Sequence, residues 1–429
     1  MPPYILKQTS YLRLWLSIMD QRLAVSLYPA HLAGLRWGFS IRDEGLQLTV
    51  RGFSQKLPDL VMVLLEQLLL WDGTAYEPLF EPKRELLVRQ LLSHYKRTSD
   101  QLAMYHLDLL LHPTRVPVEV ELQDARSVDL ATLQAFHSEA IKKFALLTFT
   151  YGNITSETAT QLISKIDARV KAAAVEPLRR DEWATSPIIR LPHSNGSTGG
   201  WKLKLKPVSE EEKNSGCIVY YQFGQLGMAS HERSTLLLMM KLIEQPMFAE
   251  LRTKQQLGYV VHSGAYLSGL GHDEVAGSYI VILSKSQPPP SLQKAIDAYV
   301  VQADEVIAKL TNDEFLTSRT ALVTRFREPD RTLAEASDRR WRPIVAEHYD
   351  WNARANSADA IEKVTQEDTI ALAKRLVAMP RIAVHTFGAG KHLEAFGDKD
   401  GMEAKEISVD GWKAWRSERE EWPVGNRPA

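Results

Sequence analysis

The constraint that weighs most on this chain is that one pattern is written in it twice. An amphipathic run from about Tyr11 to Tyr28 carries Leu12, Trp15, Leu16, Met19, Leu23 and Leu27 at helical spacing. Two β-rich runs follow, Leu35–Ile41 and Leu46–Phe53, and Asp43, Glu44 and Gly45 between them supply turn chemistry for a hairpin. Helical periods then recur over Leu57–Leu70, Lys83–Arg97, Asp100–Leu111, Asp129–Phe144 and Glu157–Ala173, with an apolar strand at Leu146–Tyr151 that ends on Gly152. The second pass runs from a helix opened by Ser230, through strands at Leu257–Tyr266 and Glu274–Leu283, to a strand at Ile382–Phe387 that ends on Gly388. Gly34 and Gly258 stand at the helix-to-strand junctions, 258 − 34 = 224 residues apart, and the closing glycines at 388 − 152 = 236. Near-equal offsets in the same order are the mark of a duplication. The fold expected is α+β: two homologous units, each a mostly antiparallel sheet with helices packed on one face.

Periodicity fails between Glu176 and Gly200, where Pro177, Pro187, Pro192 and the run Ser194–Gly200 gather. This places the units at 1–175 and 176–429. After the break, Trp201, Leu203 and Leu205 alternate with Lys202, Lys204 and Lys206, as in a half-exposed strand with a charged face, and Cys217–Phe223 reads as a buried strand beside it. Pro246 is expected to kink or split the helix from Ser230. A helix carrying Leu292, Ile296, Val300, Ile307 and Leu310 follows, and Thr311 with Glu314, Thr332 with Glu335, and Thr365 with Asp368 look like capping boxes that open three more. At 429 residues a sizeable core is available.

Charge and composition exclude several classes. The 52 basic and 53 acidic residues leave a net charge of −1, so no electrostatic ground exists for a nucleic-acid surface or an anionic membrane. No run approaches the roughly 18 apolar residues of a membrane span. The lone Cys217 forbids an intrachain disulfide, which fits a reducing compartment and favours a cytoplasmic setting. No two of the twelve histidines lie three or four residues apart, so H-E-x-x-H and H-x-x-E-H are both absent, as are a serine-hydrolase elbow and a phosphate loop. Cys217 sits beside Ile218 and Val219 and reads as core; His262 reads as a strand residue with a hydrogen bond.

The informative stretch is Phe248-Ala249-Glu250-Leu251-Arg252-Thr253-Lys254-Gln255-Gln256-Leu257-Gly258-Tyr259. It resembles the C-terminal half of the insulin-degrading-enzyme branch of the pitrilysin-type zinc metallopeptidases, the inverzincins, whose equivalent segment reads L-R-T-K-x-Q-L-G-Y. Leu32–Leu35, Val50–Phe53, Tyr151–Thr155 and Tyr220–Gln222 extend the similarity in order along most of the chain. The resemblance implies a half-clamshell that closes a peptide-degrading chamber, with zinc, its ligands and the general base supplied by a separate or missing N-terminal half. It assigns Arg252 and Tyr259 to the catalytic site, reaching across to the peptide, and Phe248 to the substrate pocket. No metal ligand and no cofactor of this chain's own follow from it. By the family pattern the first unit would begin with a strand before the helix at Tyr11, so an edge strand is expected to be missing there.

Chemistry supports those two roles independently. A guanidinium is a fixed cation with several donors, suited to a peptide carbonyl, and a phenol can donate to a developing oxyanion. At the 224-residue offset Tyr28 stands opposite Arg252 and Leu35 opposite Tyr259, so the pair occurs in one copy only. Two functions are compatible with this: the substrate-enclosing half of a zinc metalloendopeptidase, inactive alone, or a non-catalytic assembly subunit of such a complex.

Overall fold

The computed structural model describes residues 1–192, 200–269, 273–397 and 404–424. They divide into two compact units, one built from residues 1–94 and 114–186, the other from 95–113 and from Pro187 onward. Most of the Ser194–Gly200 turn and residues 270–272 of the later Gly-rich turn lie outside the described residues.

In the first unit, helix α1 (Thr9–Ser26) buries Leu12, Trp15, Leu16, Met19 and Leu23, the face its spacing predicts. Strands β1 (Arg36–Arg42) and β2 (Gly45–Arg51) form the expected hairpin, paired from Arg36↔Arg51 to Arg42↔Gly45 around the two-residue loop Asp43-Glu44. Helices α2 (Leu57–Leu69) and α3 (Gly73–Leu92) follow. The latter opens ten residues before the Lys83 start expected from sequence, because the Asp72 carboxylate caps it by accepting from the Ala75 N–H, and Pro78 and Pro82 are absorbed within it. Helix α4 (Ser99–Leu111) lies inside residues 1–175 yet packs in the second unit. After it come α5 (Val118–Ser127), which the sequence did not announce, α6 (Leu130–Lys142), capped by Asp129, and α7 (Ser156–Ala172), capped by Thr155.

One expected element is missing. The strand proposed for Leu146–Tyr151 is not formed; only Lys143 and Phe144 pair, parallel to Glu176 and Pro177, and Leu146 and Leu147 are exposed. Its β-rich composition meets no neighbouring strand along that length among the described residues, and a strand needs one to satisfy its amides.

The second unit holds a six-stranded sheet of β3 (Trp201–Leu205), β4 (Ser215–Gln225), β5 (Val260–Ser268), β6 (Val275–Ser284), β7 (Arg381–Thr386) and β8 (Lys405–Ile407). Their order is β8-β3-β7-β4-β6-β5, with β4 antiparallel to both β6 and β7 and β3 parallel to β7 and β8. The helices α8 (His231–Met247), α9 (Pro289–Val301), α10 (Asn312–Arg327), α11 (Leu333–Val345), α12 (Ala353–Glu362) and α13 (Gln366–Leu376) complete the succession. Cys217, Val219 and Tyr221 face a core shared with α8 and α9, while Ile218 and Tyr220 face Leu107, Leu110 and Leu111 of α4. Period-two alternation therefore serves two buried faces instead of one. That corrects the reading of Lys202 and Lys204 as an exposed charged face: both are buried, and the Lys204 ammonium donates to the Phe396 carbonyl at 3.0 Å.

Local signals explain the rest. Thr311 and Thr365 form full capping boxes. Thr332 caps α11, but Glu335 accepts from the Arg331 N–H instead of closing the box. The C-terminal helix α14 (Trp412–Ser417) buries Trp415 against the α4 face of the sheet, and the Trp422 indole N–H donates to Gln222 at 3.0 Å, so the aromatic tail is part of the second unit.

Candidate functional site

The motif residues are set out by a change in helical winding. Ser230 caps α8, with its hydroxyl accepting from the Arg233 N–H, and the helix runs to Met247 with Pro246 near its end. Proline removes one N–H from the ladder and crowds the carbonyl a turn earlier. Two residues on, Phe248–Lys254 winds as a π-helix, a form that recurs at functional sites. The helix does not break at Pro246, and past it the winding widens.

Two leucines hold this turn. Leu251 is fully buried and Leu257 nearly so, and the Leu257 N–H donates to the Leu251 carbonyl at 3.1 Å. Gln256 between them takes the left-handed conformation at φ 52°. Gly258 is fixed by space instead: a Cβ there would stand 2.1 Å from the Leu283 carbonyl oxygen of β6. Its counterpart Gly34 is fixed by conformation, at φ +85°. The shared glycine of the two junctions thus answers to different physics in each copy.

With those anchors buried, the chemistry faces outward. Tyr259 is 53% exposed and Phe248 44%. Arg252 is half-buried. Glu250, the carboxylate nearest in sequence, is engaged by Lys254 at 2.9 Å and Gln255 at 3.1 Å, which hold its pKa below the ordinary value. Arg252 makes no hydrogen bond and no ion pair among the described residues, and the Tyr259 hydroxyl likewise makes no hydrogen bond there. A guanidinium and a phenol are left available to a ligand. Partial burial of the Tyr259 hydroxyl, and then the charges of Asp100 and Glu212, push its pKa above the usual tyrosine value, so it remains a neutral donor at physiological pH.

Beside Phe248 lies a small cavity of about 190 Å³, bordered by Glu244, Met247, Val261, His262 and Ser263. His262 is exposed, and its ring stacks on Tyr279 with centroids 5.6 Å apart. Sequence reasoning weighed His262 alone and missed Glu244 and Ser263; only the pairing of β5 with the end of α8 brings them together. Cys217 is fully buried, with its thiol 3.8 Å from the Gln293 side-chain oxygen, as a core residue. A larger cavity of about 810 Å³ lies in the first unit, under the β1 face, where Arg13 and Glu121 pair at 2.9 Å. Asp43 also borders it and pairs with Arg115 at 3.1 Å. Among the described residues no three or more His, Cys, Asp or Glu side chains come together as a metal site. No described helix is long and apolar enough to cross a membrane.

Residues 5–124 match the middle or third domain of peptidase M16, and residues 238–341 match the C-terminal lobe domain 4 of PQQ synthase PqqF-like proteins. Human insulin-degrading enzyme is 27% identical over 380 residues, covering 87% of this chain and 36% of the relative. The chain is homologous to that enzyme. Mouse nardilysin is 25% identical over 413 residues, covering 91% of this chain and 33% of the relative. The fold of pitrilysin superposes with a TM-score of 0.79 at 16% identity, covering 96% of this chain and 42% of that one. The chain therefore spans about a third of the length of the curated relatives it matches, and the two domain matches run in the order of an M16 C-terminal half.

Proposed function

We propose that this chain is the substrate-enclosing C-terminal half of a zinc metalloendopeptidase, acting on peptides together with an N-terminal half that bears the zinc. The observation that carries the reading is the placement of Arg252 and Tyr259, without a hydrogen-bond or ion-pair partner among the described residues, on a segment whose neighbours Leu251 and Leu257 are buried. Arg252 grips a carbonyl oxygen of the bound peptide through its fork of N–H donors. Tyr259 donates its phenolic hydrogen to the oxyanion that forms as water adds to the scissile carbonyl. Phe248 and the cavity beside it receive a neighbouring side chain of the peptide. The described residues of this chain do not fit a zinc ion, so the metal and its chemistry are assigned to the other half.

The test is peptide hydrolysis by the chain alone and after addition of a matched zinc-bearing half. The reading expects negligible cleavage alone and chelator-sensitive cleavage on reconstitution. Tyr259→Phe is expected to lower turnover of the assembled enzyme by about 10²–10³, the usual cost of one oxyanion donor, with Arg252→Ala acting at least partly through KM. Vigorous chelator-sensitive cleavage by the isolated chain would overturn the proposal. Unchanged activity in the Arg252→Ala/Tyr259→Phe double variant would instead favour the assembly-subunit role.

A further inference from the structure

The cavity beside Phe248 joins apolar walls to polar groups that have unmet hydrogen-bonding capacity. Met247 and Val261 are buried and line it, and the exposed ring of Phe248 borders its mouth. Ser263 lines it too: the residue is only 4% exposed, and its hydroxyl has no hydrogen-bond partner among the described residues. Glu244, near the end of α8, is half-buried. Its Oε2 takes the Lys241 ammonium at 3.0 Å, and its Oε1 accepts no hydrogen bond among the described residues. His262 borders the cavity from the strand, but period-two alternation along β5 sends its ring to the opposite face, where it stacks on Tyr279. The charge that this cavity offers is therefore the Glu244 carboxylate.

These groups set conditions on an occupant. A buried hydroxyl without a partner carries a desolvation cost that a ligand can remove, and an ionised carboxylate accepts hydrogen bonds but donates none. The occupant must therefore bring donors. An apolar side chain would leave both groups unpaired, and an acidic one would bring two carboxylates together. A lysine or arginine side chain meets every condition: its methylene stem runs along Met247, Val261 and Phe248, and its cationic head donates to Glu244 and Ser263. Lys241 is a weak competitor, because an exposed pair three residues apart on one helix gains little and engages one of the two carboxylate oxygens. A volume of about 190 Å³ accommodates one long side chain.

We propose that this cavity is a specificity subsite for a basic residue of the bound peptide, with Glu244 selecting the charge and Ser263 orienting the cationic head. That the occupant belongs to a peptide rests on the proposed function; that it is cationic rests on the cavity alone. Glu244 and Ser263 touch the bound side chain and not the bond that breaks, so the selection falls on KM more than on kcat.

Binding to the full chain by itself tests the cavity without the zinc-bearing half. The probes are three fluorophore-tagged alanine pentapeptides that carry lysine, norleucine or glutamate at the central position. The lysine peptide is expected to bind at least tenfold more tightly than its norleucine isostere. Glu244→Gln should abolish that preference, and Ser263→Ala should weaken the lysine peptide alone. Lys241→Ala, which frees the carboxylate, should tighten lysine binding, and Glu244→Lys should transfer the preference to the glutamate peptide; a misfolded variant produces neither gain. Equal behaviour of the lysine and norleucine peptides, including no binding of either at millimolar concentration, overturns the proposal, as does a preference that survives Glu244→Gln. With the zinc-bearing half added, kcat/KM is compared for lysine and norleucine at each position beside the scissile bond. Hydrolysis indifferent to that exchange overturns the subsite and spares the function. Lysine-selective binding without hydrolysis supports the subsite and sinks the function.

Discussion

The two units share a run of helix, hairpin and helices and have very different interiors. In the second, six strands lie between two layers of side chains, and Ile218, Tyr220, Val219 and Tyr221 are all buried to within 1%. In the first, a two-stranded hairpin rests on helices, and none of its fourteen paired positions is fully covered. A two-stranded ribbon is marginal on its own, so the first unit draws its stability from α1, α2, α3 and α6. A duplicated pattern fixes the order of elements; whether a strand is buried depends on what pairs with it.

The sharpest break in the comparison is a matched pair of truncations. Ile382 in β7 is fully buried, and its counterpart Leu146 (382 − 146 = 236) is 49% exposed. Ile382→Ala is expected to cost about 2–5 kcal/mol by urea denaturation. Leu146→Ala should stay within about 0.5 kcal/mol, as a surface change does. A comparable cost at both positions would mean that residues 145–150 are packed in solution.

Next come the junction glycines. Gly258→Ala drives a methyl into the Leu283 carbonyl, so the backbones of the motif turn and β6 must part, at about 1–3 kcal/mol or more. Gly34→Ala meets only the edge of the Phe53 ring at 3.2 Å, and its cost is the left-handed conformation, about 1–2 kcal/mol. Replacing Gly34 by Asn, which tolerates that conformation, should recover part of the loss, whereas Gly258→Asn should be worse than alanine. Thermal unfolding of the four variants reads both orders.

These pairs also show how much was legible in the chain itself. Helical faces and caps were, because spacing and Ser/Thr chemistry act locally: Leu12, Trp15 and Met19 turn inward as their period requires, and Thr311 and Thr365 close their boxes. Arg252 and Tyr259 could be singled out, but not the reason they are presented, which needs the widened turn after Pro246 and the close pass of Gly258 over β6. The failures are all tertiary. Lys202 and Lys204 alternate like surface residues and are nevertheless buried, on the face opposite Leu203 and Leu205, where the Phe396 carbonyl takes the Lys204 ammonium. Residues 146–151 have strand composition and, among the described residues, no strand to pair with.

A weaker asymmetry lies in the helices facing the sheets. His137 on α6 corresponds to Ala373 on α13 (373 − 137 = 236), and both are buried. The His137 imidazole donates from Nε2 to the Leu68 carbonyl at 3.0 Å and packs edge-on against Trp15. Burial lowers its pKa in the folded protein below the ordinary value, only partly countered by that hydrogen bond. The unfolded chain therefore binds the proton more readily, so this contribution is fully present above about pH 6.5 and is lost as pH falls from there toward the folded pKa. Amide exchange in α6 should accelerate on acidification through that window while α13 does not follow. In His137→Gln the difference should shrink; persistence of the full acid response in that variant would assign it to another group.

The smallest expected effect concerns the phenol that one copy has and the other replaces with buried Leu35. Tyr259 is raised first by partial burial and then by Asp100 and Glu212, so its proton is retained past the usual value of about 10, and the donor survives into alkaline solution. The ultraviolet difference spectrum of the wild type minus Tyr259→Phe should show phenolate only above that pH. Asp100→Asn with Glu212→Gln should move the midpoint down, but not fully, because the larger cause is burial and burial is untouched. A midpoint at or below 10 in the wild type would mean that the hydroxyl is fully solvated in the free chain. Its ability to serve an oxyanion would then have to arise on closure over substrate, and not from the chain by itself.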